Sequence, residues 1–210
     1  MGRGPIARVG MFGGAFDPPH LAHLRLARTA LEQLGLDRLH VIPTGQAWHK
    51  ARVLSAASHR LAMCELAFGD LPGVVIDDRE IRREGPSYTA DTLAELRALY
   101  PGASLYLVLG ADQLLSFRGW VRWQDVLQQA RLAVADRPLD ESASDGAEGV
   151  AGPDLAAVGI PFEPLCMPPW RLSATAVRAQ AAMGSSSIGQ MVPDAVSSYI
   201  SQHSLYPSAS

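Results

Sequence analysis

Cysteine is scarce in this 210-residue sequence, which contains only Cys64 and Cys166. The two residues are far apart and follow no paired-cysteine spacing, so neither a disulfide framework nor a cysteine zinc site is indicated. No apolar run approaches the length of a membrane span, and no signal-peptide core follows the first residues. These absences predict a cytoplasmic protein with no membrane partner.

An excess of positive charge is also missing. The sequence has 18 lysines and arginines against 21 aspartates and glutamates, which gives a formal net charge of −3 at pH 7. This balance provides no general attraction to nucleic acid, so we expect no nucleic-acid partner, and a polyphosphate ligand must be held by a local cluster of cations. The hydrophobic content of 48% is sufficient for the core of one α/β domain spanning residues 1–210.

Short apolar runs alternate with helical periodicity along most of the chain, which indicates a parallel sheet flanked by helices. Strands are predicted at 9–12, 39–42, 74–76, 105–109 and 132–135, and helices at 24–34, 60–68, 91–100, 124–129, 173–183 and 193–203. Ligands of such sheets bind at the carboxyl ends of the strands, where the loops after residues 12, 42 and 109 are expected to meet. The stretch 139–157 shows neither periodicity and is predicted to be a flexible surface insertion, and a polar tail is predicted from residue 204.

A glycine turn and two histidines stand between a predicted strand and a predicted helix, in the segment GGAFDPPHLAH at residues 13–23. Gly13 and Gly14 allow the main chain to approach a ligand without an intervening side chain. His20 and His23 flank the start of the helix, where backbone amides and the helix dipole favour an anion. Two histidines without a third ligand make a weak zinc site. The segment therefore indicates phosphate binding, with the imidazoles donating to oxygens that gain charge.

Asp17, in the same segment, has two interpretations that the sequence leaves open. An aspartate before two prolines commonly fixes a turn. A carboxylate beside a phosphate site also suits contact with magnesium.

Two further cations lie in remote segments. Lys50 ends PTGQAWHK at residues 43–50, after a predicted strand, and it either contacts a triphosphate as a point charge or is simply solvated. Arg178 ends SATAVR at residues 173–178, where Ser173 and Thr175 stand at a predicted helix start. The two hydroxyls can cap that helix, or they can join the guanidinium in a clamp for departing pyrophosphate.

Gly110 and Asp112 follow the apolar run at 105–109. A carboxylate at the carboxyl end of a strand can accept hydrogen bonds from ribose hydroxyls. It can equally cap the helix that follows.

These segments carry a family resemblance. GGAFDPPHLAH is similar to the first signature of the nucleotidylyltransferase superfamily, GAD at residues 110–112 resembles its G-x-D motif, and SATAVR resembles its C-terminal S-x-T-x-x-R signature. Ala22 and Ala174 stand where the family usually has glycine and often has serine. The resemblance implies transfer of a nucleoside monophosphate from a magnesium-bound triphosphate, with His20, His23, Lys50 and Arg178 as catalytic groups. It implies ATP contacts from Gly13, Gly14, Phe16, His20, His23, Gly110, Asp112, Ser173, Thr175 and Arg178.

Two more segments, REGPSYTADTL at 83–93 and FRGW at 117–120, look like those of the bacterial nicotinate mononucleotide adenylyltransferases, as does the 43–50 loop. In that family the tryptophan stacks on the pyridine ring and the threonine, with nearby amides, binds the carboxylate, so the resemblance implies these roles for Trp120 and Thr89. A flat aromatic acceptor gains from stacking, and uncharged donors avoid the desolvation cost of a salt bridge. Without the resemblance, Trp120 would be a core residue and Thr89 a helix cap.

We therefore expect a single Rossmann-like α/β domain with a small C-terminal helical portion, which joins ATP and nicotinate mononucleotide with the help of Mg²⁺. A homo-oligomer is compatible with this expectation. An adenylyltransferase for nicotinamide mononucleotide or phosphopantetheine would share the ATP motifs, and a non-catalytic nucleotide sensor would bind ATP without releasing pyrophosphate. A nicotinamide-dependent dehydrogenase is disfavoured, because the first strand leads to GGAFDP where a G-x-G-x-x-G turn is needed.

Overall fold

In the part of the chain that the structure describes, six strands form one sheet, and every strand is parallel to its neighbours. The computed structural model describes residues 6–45, 54–136, 154–168 and 172–207. The strands are β1 (Arg8–Gly14), β2 (Arg38–Pro43), β3 (Val74–Ile76), β4 (Ser104–Leu109), β5 (Arg131–Asp136) and β6 (Phe162–Cys166), in the order β3-β2-β1-β4-β5-β6. The parallel α/β sheet predicted from the sequence is confirmed.

The strand order reverses at β1, which pairs with β2 on one side and with β4 on the other. In the register with β2, Gly13 lies beside Ile42 and Gly14 beside Pro43. Connections that leave on either side of such a reversal open a crevice at the carboxyl ends of the strands. The loops after residues 14, 43 and 109 meet at this edge, as the alternating pattern predicted.

Helices cover both faces of the sheet. They are α1 (Leu21–Gln33), α2 (Ala57–Phe68), α3 (Arg79–Arg82), α4 (Thr89–Leu99), α5 (Ala111–Ser116), α6 (Trp123–Gln129), α7 (Ala174–Ala182) and α8 (Asp194–Gln202). Side chains on one face of β1, such as Phe12, pack with α1, α2, α7 and α8, and those on the other, such as Met11, pack with α4, α5 and α6. Within the described residues, no helix is long and apolar enough to cross a bilayer.

Strand β6 and the short helices α3 and α5 were not predicted. Pro164 interrupts the β6 pattern, yet β6 pairs only with β5 in the described part of the sheet, and an edge strand accommodates a residue that cannot donate. Gln33 of α1 covers the exposed edge. Its Nε2 donates to the Cys166 carbonyl at 2.8 Å, and its Oε1 accepts from the Cys166 amide at 3.0 Å.

Helix α1 ends in a Schellman motif at the glycine predicted as its stop signal. The Leu36 amide donates to the Leu31 carbonyl at 3.0 Å, and the Gly35 amide donates to the Glu32 carbonyl at 3.3 Å. Gly35 has a φ of +58°, a left-handed conformation that glycine adopts without the steric cost of a Cβ.

We expect Gly35→Ala to lower the free energy of unfolding by about 1 kcal/mol, the cost of left-handed backbone for an L-residue. A Cβ at this position would meet no atom within 4 Å, so backbone strain alone is responsible. Urea denaturation measures the effect, and Gly189→Ala is the matched control because its Cβ is equally free of contacts and its φ is not left-handed. Equal losses at both sites would contradict this explanation.

Two segments that were predicted as a surface insertion and as a polar tail contribute residues to the core. Leu155, inside the predicted insertion, is 5% exposed and packs on the α4–α6 face, so the prediction of an exposed segment is wrong there. Residues 137–153 lie outside the described ranges. Leu205 and Tyr206, predicted in a polar tail, instead pack against the opposite core. Leu205 and Tyr206 therefore belong to the fold.

Candidate active site

The loop from β1 to α1 is tightly packed, whereas the carboxyl end of β1 is partly exposed to solvent. Gly13 is exposed, whereas Phe16 is 2% exposed and has a left-handed φ of +46°. A Cβ on Gly14 would lie 3.1 to 3.3 Å from three atoms of the Phe16 ring. The glycine pair therefore keeps the floor of the crevice free of side chains while Phe16 anchors the loop in the core.

His20 and His23 stack at the start of α1, with ring centroids 3.6 Å apart. The His20 amide donates to Nδ1 of His23 at 3.2 Å, so a neutral His23 carries its proton on Nε2. The His20 ring is 6% exposed, and its Nδ1 has no hydrogen-bond partner among the described residues. Burial lowers the pKa of His20 to about 4, so the ring is neutral at pH 7.

The first amide of α1 is already used. Leu21 donates to the Met191 carbonyl at 3.0 Å. One of the backbone amides that were expected to bind an anion at the start of α1 is therefore already paired. A phosphate bound here would depend more on the imidazoles.

Asp17 is buried, with 2% exposure, and is hydrogen-bonded to three other segments of the chain. Its Oδ1 accepts from the Tyr206 hydroxyl at 2.7 Å, and its Oδ2 accepts from the Ser55 amide at 3.2 Å. Its carbonyl accepts from Nη1 of Arg178 at 2.8 Å. These contacts favour the turn-fixing interpretation of Asp17 over direct contact with a metal.

Helix α7 brings the last motif to the first loop. Ser173 is its N-cap and accepts from the Ala176 amide at 3.2 Å, which confirms the capping interpretation. Its hydroxyl proton can still be donated to a ligand. Arg178 bonds to Thr175 Oγ1 at 3.0 Å as well as to Asp17, so the guanidinium lies against the loop that leads to His20.

A buried arginine that the sequence interpretation missed ties the β1–α1 loop to both ends of the β2–α2 loop. Arg60 of α2 is 2% exposed and donates to the carbonyls of Ser55 (3.0 Å), Ala15 (3.0 Å) and Gly45 (3.1 Å). Burial lowers its pKa and the neighbouring Asp17 opposes that shift. A signal was present, because Arg60 shares the helical phase of the buried Met63, Cys64 and Ala67.

The predicted lysine loop is only partly described. Thr44 donates to the Gly14 carbonyl through its amide at 2.8 Å and through its hydroxyl at 3.1 Å, which fastens the end of β2 to the end of β1. Lys50 lies outside the described residues, as does the rest of its loop at 46–53. Its predicted role is neither supported nor opposed by the structure.

Gly110 and Asp112 follow β4, the strand beside β1. Gly110 is the N-cap residue of α5 and Asp112 is in its first turn, so the alternative that Asp112 caps this helix is not observed. Asp112 is exposed, and a Cβ on Gly110 would lie 2.7 Å from its Oδ1. The carboxylate is therefore available at the carboxyl edge of the sheet, where a ribose contact was predicted.

The two residues predicted to bind the acceptor substrate, Thr89 and Trp120, lie in chain segments that contact each other. Thr89 is the first residue of α4, one position after the N-cap residue Tyr88, so it is not the cap that the alternative required. Trp120 is half-buried, with its ring centroid 5.2 Å from that of Phe117. A 2.5 Å ion pair between Arg122 and Asp91 ties the Trp120 segment to the start of α4. This half-buried position is compatible with both interpretations of Trp120, stacking on the acceptor ring and packing in the core.

Fold and site together define a nucleotidyltransferase: the strand order reverses at β1, the position where such sheets bind ligands, and imidazoles, a guanidinium and hydroxyls from two remote segments lie beside the end of this strand. A family model described as cytidylyltransferase-like matches residues 11–182. A protein of Albidiferax ferrireducens, named probable nicotinate-nucleotide adenylyltransferase, is 50% identical over 97% of this chain and 100% of its own length. A protein of Methylibium petroleiphilum with the same name is 42% identical over 98% of this chain and 95% of its own length.

The chain belongs to the nicotinate-nucleotide adenylyltransferase family. A solved structure of Plasmodium falciparum nicotinic acid mononucleotide adenylyltransferase complexed with NaAD shares the fold, with a TM-score of 0.75 and 18% identity over 95% of this chain and 97% of that one. A putative nicotinate-nucleotide adenylyltransferase from Vibrio parahaemolyticus also matches, with a TM-score of 0.68 and 17% identity over 97% of this chain and 98% of that one.

Proposed function

We propose that this chain transfers AMP from ATP to nicotinate mononucleotide, with nicotinate adenine dinucleotide and pyrophosphate as products. The observation that carries the proposal is the 2.8 Å hydrogen bond from Arg178 to the Asp17 carbonyl, which brings the last motif against the first. The names of relatives at 42–50% identity support the same acceptor. The NaAD complex of a structural neighbour is consistent with it.

The proposed reaction is a direct displacement. A phosphate oxygen of the acceptor attacks the α-phosphorus of ATP in line, the bond to the bridging oxygen of the β-phosphate breaks, and pyrophosphate leaves. A phosphate oxygen is already nucleophilic, so the reaction needs neither a general base nor a covalent enzyme intermediate. Catalysis then depends on alignment and on stabilisation of charge.

The donors for this charge come from the two motifs that meet at Asp17. His23 presents an Nε2 proton, neutral His20 carries one N–H, and Arg178 adds a permanent positive charge. Ser173 and Thr175 add hydroxyl donors beside the guanidinium. Further ATP contacts are proposed for Gly13, Gly14 and Phe16 at the crevice floor, for Gly110 and Asp112 at the ribose, and for Lys50 at the triphosphate.

Magnesium is proposed to enter with ATP. No group of three His, Cys, Asp or Glu side chains among the described residues could hold a metal, and both carboxylate oxygens of Asp17 accept hydrogen bonds. This arrangement fits an ion carried by the triphosphate, because Mg²⁺ keeps several waters and binds mainly to substrate phosphates. When bound, Mg²⁺ would neutralise part of the triphosphate charge.

We also propose a cytoplasmic location, with small molecules as the only substrates and no membrane or nucleic-acid partner. Cys64 and Cys166 are both free thiols, which suits a reducing compartment.

Trp120→Ala tests the acceptor site. We expect the KM for nicotinate mononucleotide to rise about 10-fold, because aromatic stacking on a base contributes roughly 1–3 kcal/mol, while the KM for ATP stays within about twofold. Trp120→Phe is the matched variant that keeps a flat ring and should lose less. Equal increases in both KM values would instead make Trp120 a packing residue.

The activity itself is tested by product analysis. The purified chain is incubated with Mg²⁺, ATP and, in separate reactions, nicotinate mononucleotide, nicotinamide mononucleotide or phosphopantetheine. Pyrophosphate release is measured and the product identified by mass spectrometry. Fastest turnover with nicotinate mononucleotide is the expected result, faster turnover with another acceptor would change the substrate, and ATP binding without pyrophosphate release would indicate a sensor.

A further inference from the structure

The C-terminal segment reaches back to the first motif. The Tyr206 hydroxyl donates to Asp17 Oδ1 at 2.7 Å, across 189 positions of sequence. The other carboxylate oxygen is held by the Ser55 amide and the main-chain oxygen by Arg178. Asp17 is therefore held by groups from three remote parts of the chain, and it lies three residues before His20.

Strained backbone flanks this hydrogen bond on both sides. Tyr206 has a φ of +61°, and Phe16, next to Asp17, has a φ of +46°. Neither residue is glycine, and such conformations persist only where surrounding contacts over-determine them; they cluster at functional sites. Leu205 and Tyr206 both pack on the core that includes α1, α2, α7 and α8, which holds the hydroxyl in place.

We propose that Tyr206 is a positioning residue for AMP transfer: by donating to Asp17, it fixes the loop that presents His20 and that receives Arg178. The inference rests on the proposed function. Tyr206 itself acts through Asp17. Removing its hydroxyl takes a 2.7 Å donor from a carboxylate with 2% exposure, so the loop loses its tie to the C-terminal segment. Small displacements of groups that align reactants cost rate strongly.

Tyr206→Phe is the direct test, because it removes one oxygen atom and keeps the ring. We expect kcat, normalised to folded protein, to fall about 10-fold, while the KM for nicotinate mononucleotide stays within about twofold. Tyr199→Phe is the matched control: Tyr199 lies in α8, in the same C-terminal part of the chain, and its hydroxyl bonds to His59 Nδ1 at 3.0 Å. Its kcat should stay within about twofold of wild type.

Several outcomes would overturn the proposal while leaving the activity intact. They are wild-type kcat in Tyr206→Phe, an equal loss in Tyr199→Phe, or a loss confined to melting temperature. Failure of the wild-type chain to form the dinucleotide would instead refute the proposed function.

Asp17→Asn provides a second variant if Tyr206→Phe does not fold. Its amide oxygen can still accept from Tyr206, but the bond is no longer charge-assisted. We expect a kcat loss of about threefold or more, with the Mg²⁺ concentration for half-maximal rate unchanged. An unchanged kcat would contradict the positioning role, and a raised Mg²⁺ requirement would indicate that Asp17 acts on the metal instead.

Discussion

His23→Ala lowers kcat by about 100-fold or more, which is the scale of losing one oriented donor at developing charge. His23 accepts from the His20 amide through Nδ1, so the neutral ring carries its proton on Nε2. Its ring also stacks on His20, so the substitution removes a donor and loosens its neighbour. Steady-state kinetics at saturating ATP and acceptor measure the loss, and thermal unfolding should show only a small change.

The matched control for His23→Ala is His203→Ala. His203 is an exposed histidine near the chain end, and its ring contacts His59 and Tyr199 rather than the first motif. We expect its kcat to remain within about twofold of wild type. Turnover of His23→Ala near the wild-type value would remove this imidazole from the mechanism.

Burial of His20 makes the protein less stable in mild acid. The folded pKa of about 4 lies below the ordinary value of 6.5, so between these values the unfolded chain binds a proton that the folded chain does not. The contribution of His20 to the free energy of unfolding is therefore fully present above pH 6.5 and is lost as the pH drops toward 4. At 1.36 kcal/mol per pKa unit, the total contribution is about 3 kcal/mol.

His20→Asn isolates this contribution, because asparagine is a favourable N-cap residue and does not titrate. Urea denaturation at pH 7.5 and 4.5 should show that wild type loses about 2–3 kcal/mol more than the variant over this interval. Other titrating groups contribute to both proteins and cancel in the comparison. Identical losses would mean that His20 is protonated as easily in the folded state as in the unfolded chain.

The central strands and the edge where the motifs meet were predictable from the sequence. Strands buried on both faces appear as short apolar runs, and β1, β2 and β4 all match this pattern. Parallel pairing then fixes which loop ends are neighbours. The juxtaposition of Arg178 with the first motif did not follow from this pattern, since α7 comes after β6, which the sequence did not predict; it was implied by the family resemblance.

Contacts between distant side chains were not predictable. The Tyr206 phenol and Asp17 are 189 positions apart, and neither has a local pattern that indicates the other. Residues after 204 look polar in sequence because Leu205 and Tyr206 are surrounded by serines, yet both pack on the core. Strand β6 was hidden by Pro164, which is acceptable only because of its place at the sheet edge.

Arg60 is an intermediate case. Helical periodicity places it on the buried face of α2, but charge normally argues for exposure. Its burial is explained by three carbonyl partners from two loops, and these partners come together only in the folded chain. The sequence could therefore indicate that Arg60 is unusual without identifying what it binds.

The central claim is that groups from remote motifs converge on one triphosphate, and a crystal structure of the chain with a non-hydrolysable ATP analogue and Mg²⁺ tests it most directly. We expect phosphate oxygens within about 3 Å of a ring nitrogen of His20 or His23 and of the Arg178 guanidinium, with the ribose toward Asp112. A triphosphate bound away from the carboxyl ends of β1 and β4, or touching only one of the two motifs, would contradict the account.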